Sequence, residues 1–258
     1  MTSLVLPAYN PGPLIDHTWD AVRRFVADRA ARGDSWEAVF VLDGCTDGTA
    51  ARLPASPPTP ACGSSATSGT AARGTPSAPG CSRPAARLFT DIDLAYPFDD
   101  VLRIAAAVRD GAAVVVGSRA HPESVVTLPV RVLGYGYRRH VQSHVFGALT
   151  RVLLPVAQRD TQAGLKGMSA ATAERVLPAL RCDGFGFDCE FLTACSRAGI
   201  PVAELPVHVR YDTTASTTGF RTTLRMVREL WQIRRWWRTR SVPPPPAAAE
   251  PTWLPRAA

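Results

Sequence analysis

The feature that most constrains this chain is an alternation of short apolar runs, polar clusters and amphipathic helical stretches. Ser3–Leu6 is a β-type run that stops at Pro7, and Leu14–Arg32 follows with Ile15, Trp19, Val22 and Val26 at helical spacing. Ala38–Leu42 reads as a second strand, broken by Asp43-Gly-Cys-Thr-Asp-Gly-Thr49. Leu88 and Phe89 lead into Thr90-Asp-Ile-Asp93, Pro97 closes a turn, and Phe98–Asp110 reads as a helix through Val101, Leu102, Ile104, Ala105 and Val108. Ala112–Val116 is a continuous apolar strand. The alternation predicts an α/β fold with a mostly parallel sheet and helices on both faces. Ligands of such sheets gather beyond the carboxyl ends of strands. Three polar clusters, Ala8–Asn10, Asp43–Thr49 and Asp91–Asp93, stand at those ends.

Asp91 and Asp93 are one residue apart, so both carboxylates can converge on one cation. Hard oxygen ligands of this kind suit Mg2+ or Mn2+ carrying substrate phosphates. An Asp-x-Asp in a loop also serves as a helix cap or a solvated turn, so the pair counts by its company.

Arg131–Val156 reads as helical, with Arg131, Arg138, Arg139, His140 and Arg151 among apolar residues. It leads into a polar loop, Asp160-Thr-Gln-Ala-Gly-Leu-Lys166. Ala170–Leu180 is a further helix, Gly184-Phe-Gly-Phe-Asp-Cys-Glu190 opens another that ends near Gly199, and Val202–Arg210 is the last strand. Thr222–Arg240 is an amphipathic helix with Leu224, Val227, Leu230, Trp231 and Trp237 between arginines. Residues 1–215 thus form one domain, 216–240 a basic aromatic helix, and the tail from 241, with its four-proline run, is expected to be disordered.

The net charge is +7, and of the 29 basic residues only Lys166 is lysine. That arginine excess reads first as the imprint of a GC-rich gene, and second as phosphate or anionic-membrane recognition. Six cysteines (Cys45, Cys62, Cys81, Cys182, Cys189, Cys195) show no paired metal spacing, and reduced thiols are the default. No run approaches the roughly 18 apolar residues of a spanning helix, so membrane contact is expected to be peripheral.

Six motifs then fall in one order: Leu6-Pro-Ala-Tyr-Asn10, Asp43-Gly-Cys-Thr-Asp-Gly-Thr49, Thr90-Asp-Ile-Asp-Leu94, Gly117-Ser-Arg119, Asp160-Thr-Gln-Ala-Gly-Leu-Lys166 and Phe185-Gly-Phe-Asp-Cys-Glu190. The set resembles family 2 glycosyltransferases, most closely the dolichol-phosphate (polyprenyl-phosphate) sugar synthase branch, over about residues 3–235. The resemblance implies a Rossmann-like GT-A fold and inverting, metal-dependent transfer from a UDP- or GDP-linked sugar to a polyprenyl phosphate. It places the work at an anionic membrane surface on the cytoplasmic face, without nucleic acid. It implies that Asp91 and Asp93 hold Mg2+ or Mn2+, and that Arg119 contacts the donor diphosphate. Pro7, Ala8, Tyr9 and Asp43 would line the base and ribose pocket. Asp93, Asp188 and Arg119 would carry catalysis, and Gln162, Lys166, Glu190 and Arg210 would bind the acceptor.

The chemistry asks for such groups. A nucleoside diphosphate gains negative charge as it leaves, and a cation stabilises that charge. A lipid phosphate is largely dianionic near neutral pH, with a second pKa of about 6, so a strong general base is unnecessary. Plainer roles stay open at several positions: packing for Tyr9, an Asx-turn for Asp43, and helix-dipole complement for Asp188 and Glu190. The 222–240 helix could equally pack on the domain with a basic outer face.

Three departures from the family pattern stand out. Leu42 occupies the first of two usual aspartates, and Pro11-Gly12 replaces a common acidic residue. Between Arg52 and Arg87 the chain is built almost wholly of Pro, Ala, Ser, Gly, Thr, Arg and Cys, a composition expected to supply neither a core strand nor an apolar helix face. Permitted codons for Ala61–Arg87, read two bases out of frame, encode Leu-Arg-Val-Val-Arg-His-Val-Arg-Asn-Arg-Gly-Lys-Gly-His-Ala-Val-Arg-Ala-Gly-Leu-Leu-Ala-Ala-Arg-Gly-Glu. That string supplies the family's missing strand, Asn-x-Gly-Lys-Gly loop and helix. A frameshifted segment is therefore the reading, against a natural insertion. The remaining functional alternatives are a transferase with a soluble or glycan acceptor, and a catalytically impaired relative that only binds.

Overall fold

A computed structural model describes residues 1–53, 62–65, 84–127, 145–182, 184, 186–210 and 220–242. The elements are β1 (Thr2–Ala8), α1 (Leu14–Ala31), β2 (Trp36–Leu42), α2 (Thr49–Arg52), β3 (Cys62–Ser65), β4 (Ala86–Phe89), α3 (Phe98–Arg109), β5 (Val114–Ser118), β6 (Val125–Thr127), α4 (145–153), β7 (Lys166–Ser169), α5 (Ala170–Val176), a 3-10 turn (Leu177–Ala179), α6 (Phe187–Arg197), β8 (Val202–Pro206), β9 (His208–Arg210) and α7 (Phe220–Trp237). The predicted helix at 131–156 lies in part, and the tail from 243 wholly, outside the described residues.

Seven strands form one sheet in the order β3-β2-β1-β4-β7-β5-β8. Every pairing is parallel except those of β7, which runs antiparallel between β4 and β5. β1 is buried at all but one position, the pattern of a central parallel strand covered on both faces. On β5 the alternation decides which core each side chain joins. Val115 packs with Leu4, Leu6, Ile15, Val22, Leu88 and Ile104 under α1 and α3, whereas Val114 and Val116 pack with Phe191, Leu192 and Leu230 under α6 and α7. α1 buries Ile15, Thr18, Val22, Phe25 and Val26, one face at helical spacing.

Two expectations change, and the low-complexity segment adds an edge strand. The stretch 202–210 is two strands, because Val207 ends β8 and β9 departs to pair with β6 in a second small sheet. Lys166, read as the end of a polar loop, opens the strand β7 (Lys166–Ser169). The low-complexity segment supplies β3, paired with β2 from Ala38↔Cys62 to Val41↔Ser65. An edge strand needs only main-chain hydrogen bonds on one side, which residues too small to build a core can still provide.

Candidate functional site

The site is assembled where β1, β2, β4 and β5 end. Ala8 and Leu42 are register partners, and the Asp43 N–H donates to the Ala8 carbonyl at 2.9 Å, so Tyr9 and Asp43 emerge side by side. Tyr9 is 69% exposed, which excludes a packing role, and Asp43 and Pro7 are exposed beside it while Ala8 is buried. The two loops are laced together. Thr46 N–H donates to Asn10 Oδ1 at 2.8 Å, Gly12 N–H donates to Asp47 Oδ2 at 2.6 Å, and the Cys45 thiol donates to the Ala8 carbonyl at 3.3 Å.

β4 delivers Asp91 and Asp93. Asp93 Oδ1 accepts from Ala95 N–H at 3.1 Å and Leu94 adopts φ 50°, so a tight turn folds both carboxylates back together. Because β7 is antiparallel, its first residue lands at this same edge: Lys166 pairs with Phe89 of β4 and Val116 of β5. Its Nζ, nearly buried, pairs with Asp188 Oδ1 at 2.8 Å in the first turn of α6 and donates to the Ala163 carbonyl. Arg210 joins from β9, its N–H donating to the Ala95 carbonyl at 2.9 Å.

The polar loop 160–166 forms the floor of the site, with Asp160, Thr161, Ala163, Leu165 and Lys166 all buried. Gly164 lies directly under Asp91: a Cβ there would meet Asp91 Oδ2 at 1.9 Å. Its N–H donates to the buried Tyr96 hydroxyl at 3.2 Å. Asp91 keeps an open face to solvent while protein crowds its other sides. That crowding, then the neighbouring Asp93 charge, pushes its carboxyl up to about 6, against the opposing charges of Lys166 and Arg119.

Two expected ligands are engaged elsewhere. Arg119 is clamped by Asp160, its Nε at 2.7 Å from Oδ2 and Nη2 at 2.9 Å from Oδ1, with Nη2 also donating to the Gln162 carbonyl at 3.1 Å. It therefore fastens the floor and adds positive field near Asp91 rather than presenting an open fork to phosphate. Burial alone would raise the Asp160 carboxyl, but its bonds to Arg119 and that guanidinium's charge hold it below the usual 3.8. Glu190 is 1% exposed, and Oε2 accepts from Arg181 and Cys182 N–H at 2.9 and 2.6 Å while Oε1 accepts from Trp237 Nε1 at 3.0 Å. It anchors a loop and α7 rather than facing an acceptor. Asp160, Gly164 and Tyr96 were not singled out from sequence. The first two stand inside a quoted motif, whereas nothing local marks Tyr96.

The donor chemistry fits a divalent cation at Asp91 and Asp93: two hard carboxylates are so crowded that one is held toward its protonated form, and a cation would remove that penalty. Among the described residues no group of three or more His, Cys, Asp or Glu converges.

No protein-family model matches the chain. It is 27% identical over 158 residues to the dolichyl-phosphate beta-glucosyltransferase of Dictyostelium discoideum, covering 60% of this chain and 47% of that protein. It is 29% identical over 245 residues to glycosyltransferase AglD of Haloferax volcanii, covering 91% and 37%. The chain thus spans less than half the length of these curated relatives. Glucosyl-3-phosphoglycerate synthase from Mycobacterium tuberculosis, crystallised with Mn2+, UDP-glucose and glycerol 3-phosphate, has the same fold, with a TM-score of 0.57 at 18% identity over 91% of this chain and 80% of that one. The chain has the GT-A fold and resembles the family 2 glycosyltransferases of the dolichyl-phosphate sugar synthase branch.

Proposed function

We propose that the chain is an inverting, metal-dependent glycosyltransferase that moves a sugar from a nucleoside diphosphate to a polyprenyl phosphate at the cytoplasmic face of a membrane. The observation that carries this reading is the meeting of Asp91, Asp93 and the ion pair of buried Lys166 with half-buried Asp188 at one sheet edge, beside the exposed Tyr9 and Asp43. Tyr9 stacks on the base and Asp43 takes the ribose. Asp91 and Asp93 would hold Mg2+ or Mn2+, which when bound would supply positive charge to the departing diphosphate. Lys166 holds Asp188 in place, so that one carboxylate orients the acceptor while the ammonium attracts its phosphate. Arg210, exposed beside the Asp turn, supplies a second cation to that phosphate, and Gln162 lines the same floor. Proton abstraction is not required from a dianionic acceptor.

A second reading, a soluble phosphorylated acceptor, is favoured by the likeness to a solved synthase crystallised with phosphoglyceric acid, across 91% of the chain. The two are separated by offering labelled UDP- and GDP-sugars with polyprenyl phosphate or with 3-phosphoglycerate. Label entering the organic phase supports the lipid acceptor. Label confined to the aqueous acceptor replaces it with the second reading, and failure of both leaves only a binding protein.

A further inference from the structure

We propose that the outer face of α7, together with α4, forms a docking surface for an anionic bilayer. The idea deepens the lipid-acceptor reading and takes its biological sense from it, but the docking itself needs no catalysis. α7 is fixed to the domain by Met226, Leu230, Ile233 and Trp237, all buried, and by Glu229, whose Oε2 accepts from Gly186 N–H at 2.7 Å. Its opposite face exposes Trp231 at 58%, with Arg228, Arg234, Arg235 and Arg238 around it.

α4 continues this surface. Val145 and Val152 are 65% and 76% exposed and seven residues apart, hence on one stripe of the helix. Arg234 Nη1 joins the two helices, donating to the Leu153 carbonyl at 2.8 Å. Between them lies a groove of about 580 Å³ whose lining includes Val152, Pro155, Arg197, Arg234 and Arg238. From 145 to 159 and from 225 to 242 the only acidic residue is Glu229, and it is buried.

Helix C-termini attract arginine through their dipoles, which accounts for Arg197, Arg234 and Arg235. It accounts neither for Arg228 in mid-helix nor for the exposed Trp231, Val145 and Val152. An anionic bilayer satisfies both at once: the apolar groups enter the headgroup boundary and the guanidiniums meet lipid phosphates. Nucleic acid would satisfy the arginines and leave the valines in water.

Sedimentation of the full chain with vesicles tests this. Binding is expected to phosphatidylcholine–phosphatidylglycerol mixtures, to be about 10-fold weaker to phosphatidylcholine alone, and to weaken in high salt. Trp231→Ser with Val152→Ser, both on exposed positions, should reduce vesicle binding about 10-fold, leaving circular dichroism and transfer to a detergent-dispersed short-chain polyprenyl phosphate unchanged. Equal binding to both vesicle types, or a double variant that binds as the parent does, overturns the docking surface. So does DNA that displaces the chain from vesicles and binds the double variant undiminished. Transfer in detergent without vesicle binding removes the docking surface and keeps the enzyme; vesicle binding without transfer does the reverse.

Discussion

Replacing Gly164 by alanine should disable cation binding without touching a ligand. The added Cβ would lie 1.9 Å from Asp91 Oδ2 and 2.4 Å from its Cγ. Ordinary van der Waals contact begins at 3.4 Å, so the carboxylate must retreat by about 1.5 Å, or the floor must sink by as much. The floor resists, because the Tyr96 hydroxyl holds Gly164 itself and the Arg119–Asp160 clamp fixes the start of the loop. Cation–oxygen distances of about 2.1 Å leave no room for a shift of that size. Loss of support behind a ligand costs about 10- to 100-fold in metal affinity, or roughly 1.4–2.7 kcal/mol. Mn2+ titration followed by the electron paramagnetic resonance of the free ion, in the presence of UDP, measures this directly. Tyr96→Phe, which removes only the hydroxyl, should show a smaller loss. Gly147→Ala, whose Cβ would find its nearest neighbour at 3.9 Å, should show none. A folded Gly164→Ala protein that binds Mn2+ as the parent does would refute the reasoning.

Glu190→Gln would set an amide N–H against backbone or indole donors, costing about 2–4 kcal/mol and lowering Tm by roughly 6–12 °C; a calorimetric scan checks this, and transfer per folded molecule should persist. The Asp160 carboxyl is held below 3.8 in the folded chain, so its contribution to stability is complete above the unfolded value and fades as pH falls from about 4 through the lower folded one. Asp160→Asn should therefore flatten acid unfolding below about pH 4 and reduce stability near neutrality, as denaturant midpoints across pH would reveal. Replacing residues 61–87 by the out-of-frame string should raise both Tm and donor affinity; resequencing of the gene should show codons that encode that string, and codons that do not would dispose of the frameshift.

The parallel frame was legible because β1, β2 and β5 carry continuous apolar runs between polar stops. β7 was not, because Lys-Gly-Met-Ser has no β-branched residue; a Cβ at Gly167 would lie 2.6 Å from Ile104 Cγ2, so a bulkier strand former cannot sit there. The Asp pair and Lys166 are singled out in the sequence only through family order, and the antiparallel register that brings Lys166 beside Phe89 is invisible locally. Glu190 misled because it shares a motif with Asp188. Two residues on a helix are turned by about 200°, so one carboxylate meets Lys166 while the other is buried under α7. Arg119 misled for a similar reason: its partner Asp160 is 41 residues away, and no spacing rule announces the clamp.

Sugar transfer by this chain is expected to depend on Asp91 and Asp93. The most direct measurement compares the parent chain, the parent in excess chelator, and Asp93→Ala, each given labelled nucleotide sugar, polyprenyl phosphate and Mn2+, with organic-phase label counted. The prediction is transfer by the parent and a loss of at least about 100-fold both in chelator and in a folded Asp93→Ala. Transfer that proceeds undiminished in chelator and in Asp93→Ala would contradict the account at its centre.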